Sequence, residues 1–509
     1  MIGNEVTLTT KNELNIVYSV QNDDSSLKIG QSILENQAIS IPINKFFASH
    51  IGIFGNTGSG KSNTLHKLYL ELFRSKFRNN IFKHSQFLII DFNGEYVGNN
   101  MFGVNDKKIK RVFDINTKVK SNFNKIPVTK EYLFDADILS ILFDARPKTQ
   151  VPFLKKAMKK MNEVIVQKDF KFGNFVGGIL KRILSTPEES TQKSLDEWIT
   201  IAKRYDLNAS DFTFIDKIQF NSKNKNYYGL NEQGVTIYFN GGAEKANNQK
   251  LEFFKLSMIE MRINNYWSNT SISLIKKLKA FLEFQKVFYI AWKDFDSQFI
   301  GPLFNRIGPS LDSLDKVIEI KDSIKDEYGA INVFSLVHAN QEVTRLLPMI
   351  ISKMFYNMQK SKVSGKKVNQ TKHLIIDEAH NILNAEHRNI GDSWQDYRLN
   401  VFEEIIKEGR KFGFFLTLSS QRPADISQTI ISQIHNFVIH RLVNENDLKM
   451  LENTMPTLDR SSFKMIPSLG KGEVIFTGSA IQVPVFVKIP KEESIHPSSD
   501  DILLTDIWD

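Results

Sequence analysis

Three features of this 509-residue chain predict an α/β fold with a parallel-rich sheet. First, the runs HIGIF (50–54), QFLIID (86–91), INVFSLV (331–337) and HLIID (373–377) are apolar at nearly every position. Continuous rather than alternating apolar character marks strands covered on both faces. Second, a helical stretch after the first run carries Leu65, Leu68, Leu72 and Phe73 on one face. Third, a glycine-rich loop joins that run to that helix. Strand, loop, helix, strand is how an α/β unit begins.

Composition supports a folded chain and removes several chemistries. Hydrophobic residues make up 41% and charged residues 24%, enough to bury a large core. A prior of ~150 residues per domain suggests about three domains. Lys and Arg number 66 against 57 Asp and Glu, a net +9 that permits a polyanionic partner without requiring one. With no cysteine, disulfides, thiolate zinc sites, iron–sulfur clusters and cysteine nucleophiles are all excluded. No window reaches the ~20 apolar residues of a membrane span. The N-terminal residues lack the basic-then-apolar pattern of a signal peptide. The expectation is a cytoplasmic protein with no membrane contact.

The organisation expected along the chain has five parts. Residues 1–48, with VTLTT and LNIVYSV, read as a small β unit. Residues 49–100 open the α/β core. Residues 101–325 form a mostly helical insertion, with one strand-like run, GVTIYF, at 234–239. Residues 326–490 complete the core, because strands on both sides of the insertion need each other for burial. Residues 491–509 form an acidic tail, with six acids and no Lys or Arg from 492 onward. It is either a solvated end or a docking segment for a neighbour.

The loop GNTGSGKS (55–62) matches G-x-x-x-x-G-K-[ST] in full. Gly55, Gly58 and Gly60 let the backbone turn so that several N–H groups converge on a phosphate. The helix that follows adds its positive end. Lys61 supplies charge for the β- and γ-phosphates of ATP, and Ser62 a hydroxyl for Mg²⁺. Gly55, Asn56, Thr57, Gly58, Ser59, Gly60, Lys61, Ser62 and Asn63 are accordingly assigned to the nucleotide.

The second acidic motif is LIIDEAHNIL (374–383). Asp377 at the strand end is placed to hold Mg²⁺ through water. Glu378 is placed to polarise the attacking water, a poor nucleophile that needs a base. The letters DEAH also occur in one helicase superfamily, but the Ser-Ala-Thr motif that superfamily carries is missing here. His380 has no second histidine at metal spacing and reads as a cap or core residue. No N-K-x-D guanine signature occurs, so ATP is preferred over GTP.

A third cluster, EGRKFGFFLTLSSQRPADIS (408–427), follows. Gln421 ends its strand beside the acidic strand, where it would contact the γ-phosphate or the catalytic water. Arg410 precedes that strand and is the choice for an arginine acting on a neighbouring subunit's ATP, with Arg422 and Arg441 as rivals.

These motifs in this order resemble the HerA/FtsK superfamily of ring ATPases, HerA more than FtsK. The resemblance is carried by 44–63, IIDFNGEY (89–96), 374–383, 408–413, 419–427, 439–452 and 470–489. It implies a RecA-like core, a hexamer, DNA in a central pore, Glu378 as catalytic acid and Gln421 as sensor. Asp91 and Glu95 match the family's second-strand motif, or serve a turn. The N-terminal β unit is shorter than the family's barrel. Shortened relatives work with an effector, a nuclease or a sirtuin-like NADase, in antiphage defence. The alternative is an ATPase scaffold that regulates such an effector with little DNA pumping. Candidate pore loops are 360–372 with five lysines, 104–120 with six basic residues against two acids, and 384–400 with Arg388, Trp394 and Arg398.

Overall fold

In the computed structural model the described residues are 10, 13 and 25–492, apart from 119–124, 168, 206–211, 243, 293–295, 364–366, 386–392, 456–457 and 482. The strands in chain order are β1 (Ser26–Ser32), β2 (Ala38–Pro42), β3 (Ile51–Phe54), β4 (Ser85–Asp91), β5 (Lys110–Asn116), β6 (Ile126–Thr129), β7 (Gln219–Asn221), β8 (Asn226–Leu230), β9 (Thr236–Phe239), β10 (Ile318–Lys321), β11 (Ile331–His338), β12 (Thr371–Ile376), β13 (Phe414–Ser420), β14 (Asn436–Ile439), β15 (Glu473–Gly478) and β16 (Val485–Lys488). The chain divides into two compact units, one of residues 1–126 with 323–509, the other of 127–322.

The first unit is an α/β core on one sheet, ordered β2-β1-β16-β15-β14-β3-β13-β12-β4-β11-β5. From β14 to β5 the pairs are parallel; from β14 back to β2 they are antiparallel. Every residue of β3 and of β13 is buried, as continuous apolar strands demand. The helix Lys61–Arg74 buries the predicted Leu65, Leu68, Leu72 and Phe73 against this sheet, together with Tyr69. Aromatic rings fill the layer between. Phe73 meets Phe87 edge-on at 4.8 Å, and Phe87 stacks on His373 at 4.7 Å. The Tyr69 hydroxyl finds Thr417 Oγ1 at 2.7 Å, which satisfies a polar atom in an otherwise apolar layer.

Two expected boundaries change. The segment 110–116 is not part of the insertion: as β5 it pairs in parallel with β11 at the sheet edge. Its charged sequence KRVFDIN hid a strand, because an edge strand tolerates charges that a central one does not. The N-terminal strands β1 and β2 do not form a unit of their own either. They extend the main sheet, with β1 antiparallel to β16. The runs at 6–10 and 14–20 lie outside the described residues apart from Thr10.

The second unit is mostly helical, with long helices at Gln150–Val166, Phe172–Ser185, Glu189–Tyr205, Leu256–Ser268, Leu274–Ala291 and Ser297–Val317. Two small sheets accompany them: β6 beside β10, and the antiparallel meander β7-β8-β9. Glycine allows one close approach here. A Cβ on Gly173 would lie 1.9 Å from the Glu260 carbonyl oxygen.

Four histidines sit inside the first unit as neutral rings. Burial, the largest cause in each case, lowers His50 and His66 to about 4, and His373 and His440 to about 3. Each is protonated more readily in the unfolded chain than in the folded one. Their contribution is therefore whole above pH ~6.5 and is lost as pH falls toward 4. The unfolding free energy should drop steeply between pH 6.5 and 4.5, by up to about 1.4 kcal/mol per histidine per pH unit, and the melting temperature should fall with it. Replacing His373 with Phe should flatten that slope.

Candidate active site

Because β3, β13, β12 and β4 run in one direction, their C-terminal ends meet at a single edge of the sheet. The phosphate loop follows β3 there. Gly58 and Gly60 adopt φ of +75° and +103°, the left-handed conformations that let the loop curl. Gly60 then caps the helix Lys61–Arg74. Gly55 is required for space: a Cβ on it would lie 2.4 Å from His440 Cβ. The Asn56 carbonyl accepts from Ser59 N (3.2 Å), Ser59 Oγ (2.6 Å) and Lys61 Nζ (3.2 Å). The loop is thus closed on itself with its lysine in place. Asn63, in the first turn of the helix, keeps a buried amide oxygen with no hydrogen-bond partner among the described residues.

Lys61 is only 6% exposed. Burial lowers its pKa, and Glu378, Asp377 and Glu95 oppose that shift in descending order. The predicted Asp377 and Glu378 therefore do converge on Lys61. Glu95 joins them, a residue whose motif left its role open. Asp91 takes the turn role: Oδ1 accepts from Gly94 N (2.7 Å) and Glu95 N (3.1 Å), and Oδ2 from Tyr96 N (2.9 Å). That turn aims Glu95 at the site. The Tyr96 hydroxyl is fully buried and held well above its usual range, first by burial and then by Asp377, Glu95 and Asp91. Neither Glu95 nor Tyr96 could be assigned from spacing alone, because only the Asp91 turn brings them in.

Asp377 follows β12, and its backbone N–H donates to Ile90 O of β4 at 3.1 Å. Its pKa is pushed up to about 8 by burial and by Glu95 and Glu378. Its Oδ2 is buried with no hydrogen-bond partner among the described residues. Glu378 has φ +48°, a strained conformation for a non-glycine residue. His380 Nδ1 lies 3.4 Å from its Oε2. His380 also reaches Ser420 Oγ at 3.3 Å.

Gln421 follows β13, and its Oε1 accepts a hydrogen bond from Thr57 Oγ1 at the apex of the phosphate loop. A side chain so placed touches whatever occupies the loop. The residues also suit Mg²⁺. Among the described residues no group of three or more His, Asp or Glu could hold an ion unaided. A divalent ion here would rest on the Ser62 hydroxyl, on Asp377 through water and on the nucleotide's own phosphates. The unpartnered Asp377 oxygen and the surplus of carboxylates over Lys61 are what such an ion would relieve.

Arg410 is not brought to this site. It lies at the start of β13, at the opposite edge of the sheet, where its Nη1 donates to His435 Nε2 at 2.8 Å. Any role toward ATP requires a second copy of the chain. Arg422 and Arg441 are exposed at the nucleotide edge. The Arg441 carbonyl accepts from Asn56 N at 2.8 Å. The basic loops carry less free charge than their sequences suggest. Lys360 is paired with Glu404 (2.8 Å) and Glu408 (3.3 Å). Lys372 is buried on Gln86, and burial lowers it to about 7. Lys110 is buried on the Gly98 carbonyl, lowered to about 8. Arg111 caps Glu327 O at 2.6 Å. Arg398 is 5% exposed and donates to Asn384 O. Lys366, Lys120 and Arg388 lie outside the described residues, as does the Trp394 side chain. At the tail, Glu492 pairs with Lys67 and with Arg74 (3.3 Å), while 493–509 lie outside the described residues.

Two glycine substitutions separate space from conformation. Gly55→Ala should abolish binding of an ATP analogue in calorimetry, because its Cβ collides with His440. Gly58 has open space around it and only a positive φ to lose. Gly58→Ala should therefore cost about 1–2 kcal/mol of binding.

A model of the family described as helicase HerA, central domain, matches residues 27–254. The DNA double-strand break repair helicase HerA of Sulfurisphaera tokodaii is 24% identical over 507 residues, covering 99% of this chain and 76% of that protein. The protein of the same name from Saccharolobus solfataricus is 24% identical over 494 residues, covering 96% and 72%. The solved structure of VirB4 of Thermoanaerobacter pseudethanolicus aligns at 13% identity with a TM-score of 0.45, covering 93% of this chain and 98% of that one. No described helix is long and apolar enough to cross a membrane. With relatives aligned along nearly its whole length, and a sheet that gathers a phosphate loop and a two-acid strand end at one edge, the chain is an ATPase similar to the HerA helicases.

Proposed function

We propose that this ATPase is a motor that moves on double-stranded DNA, working as a ring of its own copies, six by resemblance to the family. The observation that carries the reading is the convergence of Glu378, Asp377 and Glu95 on Lys61, with Gln421 tied to the loop apex through Thr57. A nucleotide-binding site without hydrolysis needs the lysine but not the second acid. Glu378 accepts a proton from the attacking water, and Lys61 with the loop N–H groups holds the charge that develops on the γ-phosphate. Bound Mg²⁺ supplies further neutralisation of the phosphates. Gln421 passes the presence of the γ-phosphate to β13. Arg410, far from its own chain's loop, is the residue offered to a neighbour's nucleotide. The names of the HerA relatives support DNA as the track.

A second reading has a specific observation behind it. Lys360, Lys372, Lys110, Arg111 and Arg398 are all engaged within the fold. That favours an ATPase scaffold that assembles and regulates an effector, a nuclease or an NAD-consuming enzyme in antiphage defence, with little pumping of its own.

ATPase assays with and without duplex DNA decide between the two. The motor reading expects strong stimulation by DNA that fades with salt, at a log–log slope near −0.9 per phosphate contacted. Lys61→Ala should lower hydrolysis by roughly 100-fold or more, as expected when a transition-state charge contact is lost. Hydrolysis that ignores DNA but changes when the effector is added supports the scaffold. Hydrolysis at the wild-type rate in Lys61→Ala defeats the site itself.

A further inference from the structure

We infer that His440 is a positioning residue of the phosphate loop: its imidazole N–H fixes the Ser59 carbonyl and thereby aims the Gly60 N–H at the phosphates. This rests on the reading of 55–62 as the ATP site and deepens it.

His440 follows β14, which lies beside β3 in the sheet. Its backbone N–H donates to Phe54 O at 2.7 Å, so it sits directly beneath the start of the loop. The ring is fully buried, and Nδ1 lies 2.9 Å from the Ser59 carbonyl oxygen. A carbonyl only accepts, so Nδ1 carries the proton and Nε2 is bare. Nε2 is indeed buried with no partner among the described residues. The tautomer is therefore fixed by the contact it makes.

The same carbonyl accepts a second hydrogen bond, from Gly472 N at 2.9 Å. Both lone pairs of Ser59 O are thus used, and the carbonyl is held toward the sheet from two sides. In a trans peptide the C=O and the following N–H point in opposite directions. Holding Ser59 C=O inward therefore turns Gly60 N–H outward, into the space the loop encloses. Gly60 has φ +103° and leads into the helix, so this N–H belongs to the phosphate cradle. Protonating the ring would put a second cation beside buried Lys61, and burial together with Lys61 keeps it neutral.

Three variants separate the donor from mere filling. Asn places an amide N–H near the Nδ1 position; Gln places its amide near Nε2; Leu fills volume without a donor. Affinity is read by calorimetry with a non-hydrolysable ATP analogue and Mg²⁺, hydrolysis at saturating ATP, and folding by the melting temperature. His440→Asn should bind within about threefold of wild type, whereas Leu and Gln should weaken binding by about tenfold or more at an unchanged melting temperature. If Leu does not fold, the Asn and Gln pair carries the same contrast. Equal affinity in Asn and Gln, or wild-type affinity in Leu, overturns the assignment. The two failures are distinguishable. Wild-type protein that does not bind the analogue defeats the ATP site, while binding that Lys61→Ala abolishes and His440→Gln spares defeats only the role of His440.

Discussion

Parallel hydrogen bonding of β3 between β13 and β14 is the constraint on which the rest of this molecule depends. It forces the ends of strands far apart in sequence to the same edge. Asp91 ends a strand of that parallel set, and the loop at 55–62, Asp377, Gln421 and His440 each follow one. Each would be carried to the opposite edge if its own strand ran the other way. The buried apolar faces of β3 and β13, and the aromatic layer of Phe73, Phe87 and Tyr69 above them, are what hold this arrangement rigid.

The site so assembled is electrostatically unbalanced. One buried ammonium faces Glu378, Asp377 and Glu95, and the result is visible on both sides. Burial lowers Lys61 against their pull, and Asp377 is driven up to about 8. An arrangement that strains its carboxylates in isolation is suited to a divalent ion and a polyphosphate together, since each supplies the charge the other lacks. The left-handed backbone of Glu378 fits the same picture, a cost accepted where a carboxylate must be aimed.

The phosphate loop was legible in the sequence because its conformation needs glycines at particular positions. Gly58 and Gly60 do adopt positive φ, and Gly55 lies where a Cβ would collide. The central strands were legible because burial on both faces demands unbroken apolar runs. Strand β5 was not, since its edge position tolerates Lys110, Arg111 and Asp114. Charge was the poorest guide. A run such as 360–372 looks free in sequence, yet Lys360 reaches acids forty residues on and Lys372 is folded inside. His440 and Glu95 could not be read from spacing because their roles arise from strand adjacency and from a turn.

In the proposed division of labour, Glu378 drives hydrolysis while the loop and Lys61 bind the nucleotide. The direct test is single-turnover ATP cleavage alongside analogue affinity in Glu378→Gln, which keeps shape and removes the base. Affinity should stay within about twofold of wild type while cleavage slows by about 10²-fold or more, as for a lost general base. Cleavage at the wild-type rate, or loss of binding equal to the loss of cleavage, would contradict it.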